Sequence, residues 1–266
     1  MDRWPLDLFH VVWIAVGFTI FQQALKRGPA RQTLARIFQQ AAKGSIKDQE
    51  AMTLAKQAEA RIVGALHISI QIPLAFYVLR QRELWPDKLH THTPTSILLA
   101  KISAGYFLHD LGFCLATGEG WPYTLHAFCC TSVYIYAACF GVMNYYGAGF
   151  LMWELSTPFV YLRWFLHNLG YAKSPLYVAN GFAMLISFFL ARNVFGNYLT
   201  YQFLSDTQYA IAHPKLGHMS PTGLRASQVV DVTLTILNTY WVSKMFQGGM
   251  KMLKKQNIDD PKYRSD

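Results

Sequence analysis

Polar and ionisable side chains recur at helical spacing inside several apolar stretches of this sequence. In ILLAKISAGYFLHDLGFCLAT (97–117), the residues Ser103, Tyr106 and Asp110 fall on one helical face. His109 lies about 100° further round the same helix. Hydrocarbon cannot satisfy charged or hydrogen-bonding groups, so such residues usually face the interior of a bundle or a cavity. The spacing therefore predicts a polar layer or cavity inside a membrane-embedded helical bundle.

Five apolar stretches contribute candidates for this cavity. The candidate lining residues are Tyr106, His109, Asp110, His126, Tyr134, Glu154, Thr157, Arg163, Arg192, Asp231 and Asn238. The carboxylates of this set could pair with its arginines or with a protonated histidine. The hydroxyl and amide members have an alternative role, because such groups also hold helices together without any ligand.

The sequence gives little support for a metal site or a cofactor site. His90 and His92 stand close together, but two histidines without neighbouring carboxylates are a weak metal signal. The four cysteines lie in apolar stretches and are interpreted as small buried side chains. Nucleotide-, haem- and flavin-binding motifs are absent from the sequence. We therefore expect no metal and no cofactor, with a bound lipid as the only expected ligand.

The composition indicates a membrane protein. Hydrophobic residues make up 52% of the 266 residues and charged residues only 15%, whereas a soluble domain carries about 25% charge. The 18 Phe, 15 Tyr and 7 Trp suit anchoring at membrane interfaces. This composition excludes disordered, collagen-like and disulfide-rich classes. The net charge of +9 is interpreted as a topology signal rather than as a nucleic-acid surface.

The hydropathy pattern predicts an all-α, polytopic bundle of about seven transmembrane spans. A span needs about 20 apolar residues. The candidates are 6–25, 62–80, 97–117, 125–143, 146–165, 177–203 and 226–247. The first contains Asp7 and His10, and the count falls to six if it does not cross. Pro158 predicts a kink or break within the fifth span.

Four segments follow from this pattern: an N-terminal span (1–25), basic amphipathic surface helices (26–60), a hydrophobic bundle (61–250) and a polar basic tail (251–266). The basic segment is expected to break near Gly44. It is either a solvated hairpin beside the membrane or a docking surface for anionic headgroups or an acidic partner. If all seven candidates span, 14 Lys and Arg lie on one side and 5 on the other. That bias places the C-terminus on the cytoplasmic or equivalent side.

Several motifs resemble the TLC-domain family of membrane proteins, in the branch outside the ceramide synthases. The matching segments are GYFLHDL (105–111), LHAF (125–128), ELSTPFVYLRWFL (154–166), NGFAMLISFFLAR (180–192) and LNTYWVSKMFQG (237–248). The resemblance covers residues 61–250. It implies a helical bundle around a lipid-containing cavity, in an endoplasmic reticulum-type membrane, with an organellar inner membrane as the alternative.

The resemblance departs from the ceramide synthases at the residues linked to acyl transfer. His126 matches the first histidine of their His-His pair, but Ala127 occupies the second position. Their later acidic motif is replaced by the sequence at 154–159. A general base or nucleophile needs an orienting partner within hydrogen-bonding reach. His126 is thus the only catalytic candidate, with Asp110 or Glu154 as its hypothetical partner, and the substitutions argue against catalysis.

Three functions remain as hypotheses. The first is a protein that handles membrane lipid, in transport, sensing or control of membrane composition. The second is a non-catalytic subunit of a larger membrane complex, docking other subunits through 26–61 and 248–266. The third is a ceramide-synthase-like acyltransferase, which the departures at Ala127 and 154–159 disfavour.

Overall fold

The computed structural model describes residues 4–214 and 219–259, with side chains for 5–214 and 219–250. The regular elements of this part of the chain are all helical, as predicted. They are α1 (Trp4–Arg27), α2 (Pro29–Ala41), α3 (Asp48–Leu79), α4 (Pro94–Thr117), α5 (Trp121–Phe140), α6 (Asn144–Leu151), α7 (Thr157–Asn168), α8 (Pro175–Phe188), α9 (Gly196–Ala212) and α10 (Pro221–Asp259). Predictions that involve Arg3, Lys215, His218 or residues 260–266 lie outside the described residues, as do those on the side chains of 251–259.

Local sequence signals fix several helix ends. Thr93 and Ser96 form a reciprocal capping box at the start of α4. Gly118 and Gly141 end α4 and α5 with φ values of 69° and 67°. In this left-handed region glycine avoids the steric cost that other residues meet.

Five helices of the described chain are long and apolar enough to cross a membrane: α1, α3, α4, α5 and the continuous helical segment Pro175–Ala212. The weakest predicted span, 6–25, is among them. α1 runs parallel to α4, because Asp7 pairs with Lys101 at 2.6 Å and Thr19 bonds His109 at 3.0 Å further along both helices. Since it follows α4 in this way, α1 makes a full pass through the bundle.

The fifth predicted span is not one continuous helix. Residues 146–165 are divided into α6, a 3₁₀ segment (Met152–Ser156) and α7. Pro158 stands in the first turn of α7, where its missing N–H costs no helical hydrogen bond. The break predicted from Pro158 is therefore present, and it lies just before the proline.

The seventh predicted span corresponds to α10, which runs antiparallel to α5. Gly223 lies against the Tyr136 side chain near one end, and Trp241 lies 5.4 Å from the His126 ring near the other. α10 is not among the five helices that are long and apolar enough to cross a membrane, and its sequence carries the polar residues Gln228, Asp231, Thr235 and Asn238. Its contacts with Tyr136 and His126 nevertheless show that α10 lies alongside α5 in the bundle.

The two ends of the bundle carry different connections. At one end, called here the basic end, lie α2, the turn at 118–120 and the turn at 169–174. Contacts between Phe38 and Trp164 and between Tyr123 and Trp241 join the elements of this end. At the opposite end, the Met143 amide donates to the Leu89 carbonyl. These connections alternate between the two ends in the predicted order, while five helices of the described chain, against the seven predicted, are long and apolar enough to cross a membrane.

The basic segment 26–61 forms a helical hairpin of α2 and the first part of α3, and Phe38 on α2 contacts Trp164 on α7. Ala35 on α2 is buried against Ala51 and Ala55 on α3. The segment breaks at residues 42–47, around the predicted Gly44. α3 then continues without interruption through residue 60, where a boundary between surface helices and bundle was predicted. The second arm of the surface hairpin and the second predicted span are therefore parts of the same helix, α3.

Candidate functional site

Arg192 is the centre of a buried polar network. Its Nη2 donates to Glu154 Oε1 and to Thr157 Oγ1, both at 3.1 Å. Its Nη1 donates to Asn238 Oδ1 at 3.0 Å, and its Nε donates to Ser156 Oγ at 3.2 Å. The arginine is 6% exposed. Arg192 lies in the helical segment between α8 and α9. Its guanidinium thus connects that segment to the start of α7 and to α10.

The same network satisfies the Glu154 carboxylate. Its Oε1 receives the Arg192 bond, and its Oε2 accepts from Thr157 Oγ1 at 2.5 Å. Pairing with a cation and hydrogen bonds are what a buried carboxylate requires. Four predicted site residues therefore meet here: Glu154, Thr157, Arg192 and Asn238.

A local irregularity positions Arg192. Residues Phe189–Phe195 form a π-helix between α8 and α9, an element that is rare and frequent at functional sites. Gly196 follows it directly, and a Cβ built there would lie 2.5 Å from Trp153 Nε1. Glycine therefore allows the indole to approach this helix closely. Nothing in the apolar sequence around Arg192 predicts that these residues form a π-helix.

Next to the network lies a cavity lined by residues of α4, α5, α6, α9 and α10. The space that water-sized spheres can occupy within it is about 60 Å³, and part of the cavity is open to the surroundings. The predicted residues His126, Tyr134, Glu154 and Asp231 line it. Most of the remaining lining is aromatic or aliphatic, including Phe107, Val133, Ala137, Met143, Tyr146, Phe150, Trp153, Phe203, Val230 and Leu234. Sequence analysis missed these apolar residues because nothing distinguishes a cavity-lining Phe from one in the core.

His126 meets a thiol rather than a carboxylate. Its Nε2 lies 3.6 Å from Cys130 Sγ, one helical turn along α5. Within the described side chains it makes no hydrogen bond to Asp110 or Glu154. The geometry therefore does not supply the orienting carboxylate that the acyltransferase hypothesis needs.

The predicted residues of α4 lie outside the cavity, at the contact of α1, α3 and α4. Tyr106 stacks on His67 with ring centroids 3.9 Å apart, and its hydroxyl bonds Tyr161. His109 bonds Thr19, and Asp110 is half-buried. His67, on α3, is 1% exposed. The stacking of Tyr106 on His67 and the bond between His109 and Thr19 therefore connect α4 to α3 and to α1.

Arg163 is the other predicted residue that lies apart from the cavity. Its guanidinium lies over the Tyr177 ring at 4.0 Å and donates to the Tyr177 carbonyl at 3.3 Å. It therefore connects α7 to α8.

Two ion pairs that are at least partly buried went unrecognised in the sequence. Arg31 on α2 makes a two-pronged pair with Glu59 on α3, whose side chain is fully buried. Lys101 on α4 pairs with Asp7 on α1. Both join elements far apart in sequence, so no local spacing could have revealed them. In the described part of the chain, no group of three or more His, Cys, Asp or Glu is arranged to hold a metal ion.

These features define a multi-pass helical membrane protein with a buried polar network beside an aromatic-lined cavity. Residues 57–247 match the family model described as TLC domain. The chain therefore belongs to the TLC-domain family, as its motifs predicted. The matched range also agrees with the predicted 61–250.

Similar proteins occur in fungi and vertebrates. An uncharacterised TLC domain-containing protein of Schizosaccharomyces pombe is 29% identical over 194 residues, which are 70% of this chain and 63% of the relative. TLC domain-containing protein 4-B of Danio rerio is 30% identical over 209 residues, 73% and 74% of the two chains. Human TLC domain-containing protein 4 is 31% identical over 160 residues, 57% and 58% of the two chains. These three relatives are named for the domain alone.

Proposed function

We propose that the protein binds the hydrocarbon chain of a membrane lipid in the cavity between α5, α6 and α10. The observation that carries this proposal is a buried, largely apolar cavity with His126, Glu154 and Asp231 on its wall. Apolar walls with a few placed polar groups are typical of small-molecule sites.

The proposed role is non-catalytic lipid handling, such as transport, sensing or control of membrane composition. Acyl transfer is not part of the proposal, because His126 faces Cys130 and Glu154 is already engaged by Arg192 and Thr157. The proposed location is an endoplasmic reticulum-type membrane. Fluorescence microscopy of the tagged full chain tests that location against an organellar inner membrane.

The test of lipid binding is mass spectrometry of lipids that co-purify with the full chain in mild detergent. Ala137→Phe is the informative variant, because Ala137 is buried on the cavity wall. Phe128→Leu is the matched control, because Phe128 lies on the same helix with 57% of its surface exposed. We expect one lipid class to be enriched over the bulk membrane in the wild type and the control, and depleted in Ala137→Phe.

Equal lipid composition in the protein sample and the bulk membrane would overturn the proposal. So would enrichment that Ala137→Phe leaves intact while the variant remains folded. Native electrophoresis of the same sample reports the size of the particle. A particle many times the monomer mass would favour the complex-subunit hypothesis instead.

A further inference from the structure

Asp231 differs from the other polar groups on the cavity wall. It is 5% exposed, and it lies on the face of α10 that also presents Ser227, Val230 and Leu234 to the cavity. Its Oδ1 accepts from Thr200 Oγ1 at 3.2 Å. Its Oδ2 has no hydrogen-bond partner among the described residues. A buried carboxylate oxygen without a partner carries a large desolvation cost.

The other polar groups of the wall are mostly occupied. The Tyr134 hydroxyl donates to the Gly147 carbonyl at 2.7 Å, and the Ser227 hydroxyl donates to the Gly223 carbonyl at 2.9 Å. The Tyr146 hydroxyl donates to Asp206. The indole nitrogen of Trp153 also lacks a partner, but it lies against Gly196 on α9. Asp231 is therefore the carboxylate of the wall that retains an acceptor for a ligand.

The chemistry of Asp231 restricts the ligand. A carboxylate oxygen accepts hydrogen bonds from hydroxyl, amide or ammonium groups. A fatty-acid carboxylate or a phosphate would meet repulsion from Asp231 instead. An ester offers only acceptor oxygens and gives Asp231 no donor.

We infer that the cavity takes a lipid whose chain ends near Asp231 in a hydrogen-bond donor, and that Asp231 Oδ2 accepts from it. This inference rests on the proposed lipid-binding function and adds the chemical class of the ligand's polar end. Every ligand of this class has one apolar chain that ends in an uncharged or cationic hydrogen-bond donor. A hydroxyl is its simplest form.

The test uses a photoreactive palmityl alcohol that crosslinks to the full-length protein in nanodiscs. Unlabelled palmityl alcohol, methyl palmitate and palmitic acid then compete for the labelled site. All three carry the same chain and differ only in whether the end is a donor, an acceptor or an anion. We expect the alcohol to compete about tenfold better than the ester, as a hydrogen bond to a charged group provides, and the acid to compete least.

Two variants of Asp231 and one control sharpen the result. Asp231→Leu should remove the preference for alcohol over ester while labelling by the chain persists. Asp231→Asn keeps the shape of the side chain and presents an amide donor, so it should shift the preference towards the ester. Glu119→Leu makes the corresponding change at an exposed carboxylate in the turn after α4, which does not line the cavity, and should keep the wild-type preference.

The outcomes separate this inference from the proposed function. If Ala137→Phe abolishes labelling but all three competitors act equally on the wild type, the cavity binds lipid and the role of Asp231 is overturned. If Ala137→Phe leaves labelling unchanged in folded protein, the lipid-binding proposal itself fails. An unchanged preference in both Asp231 variants would also overturn the inference.

Discussion

Glu154 and Asp231 are two carboxylates on the wall of one cavity, yet their surroundings differ. Glu154 has a partner for each oxygen, because Arg192 and Thr157 both donate to it. Asp231 has a partner for one oxygen only, the hydroxyl of Thr200. One carboxylate is fully paired within the helix packing, whereas the other has an oxygen with no hydrogen-bond partner among the described residues.

The difference shows how to separate structural from ligand-binding polar groups inside a membrane protein. A polar residue whose hydrogen bonds all go to neighbouring helices holds the bundle together. One that is buried and only partly satisfied must find a further partner. In this bundle, loss of Arg192 should therefore affect folding first, and loss of Asp231 should affect ligand preference first.

The largest effect is expected from Arg192→Leu. Removing the guanidinium leaves the Glu154 carboxylate without its cation, and breaking a buried pair in this way costs about 3–5 kcal/mol. We expect a sharp fall in the thermal unfolding temperature in detergent. Arg192→Leu combined with Glu154→Leu should lose less than the single change, because no charge is then stranded. Nearly wild-type stability of Arg192→Leu would show that the network does not hold the bundle together.

A second buried carboxylate extends the comparison to the basic end. Glu59 is fully buried, while the Arg31 side chain retains 17% of its exposure. Arg31→Ala should therefore cost about 2–3 kcal/mol by leaving a buried charge unpaired. Glu59→Ala should cost less, because the guanidinium can turn towards water. Thermal unfolding of the two variants gives the comparison, and the opposite order would contradict this account of the pair.

Asp231→Asn should change stability much less than Arg192→Leu. The amide keeps an acceptor for Thr200, so at most one hydrogen bond weakens, which is worth about 1 kcal/mol or less. The measurement is again the unfolding temperature in detergent, with the same protein assayed for lipid preference. Unfolding of Asp231→Asn on the scale of Arg192→Leu would place Asp231 among the structural groups.

The smallest effect concerns Asp87, a carboxylate in the loop between α3 and α4. Burial acts to raise the pKa of Asp87, but hydrogen bonds from the His90 and Leu89 amides and the nearby His90 imidazole outweigh it and lower that pKa. A lowered folded-state pKa stabilises the fold above the unfolded value of 3.8, and this contribution is lost as pH falls through the folded value.

Asp87→Asn should therefore flatten the acid limb of the stability profile, by less than about 1 kcal/mol because the side chain is 40% exposed. Unfolding temperatures of wild type and variant, from neutral pH to below pH 3.8, provide the check. An acid limb that is identical in the two proteins would remove Asp87 from the pH dependence.

The predicted spans and their order were recoverable from the sequence because each depends on local properties. Apolar length revealed α1, α3, α4 and α5, and Pro158 signalled the break before α7. Polar spacing identified four members of the Arg192 network. The spacing could not show that Tyr106, His109 and Asp110 stay off the cavity wall, because rotation of a helix in a bundle depends on its neighbours.

The sequence by itself thus determined an all-α membrane bundle, the alternation of its connections and its family. These follow from hydropathy, helical periodicity and local motifs, which act over a few turns of one helix. Only the tertiary structure decided that Arg192 joins Glu154 to Asn238, that Arg31 pairs with Glu59, and that Asp231 retains a free oxygen on the cavity wall. Those contacts join residues tens of positions apart, so they depend on how the helices pack rather than on the sequence around each residue.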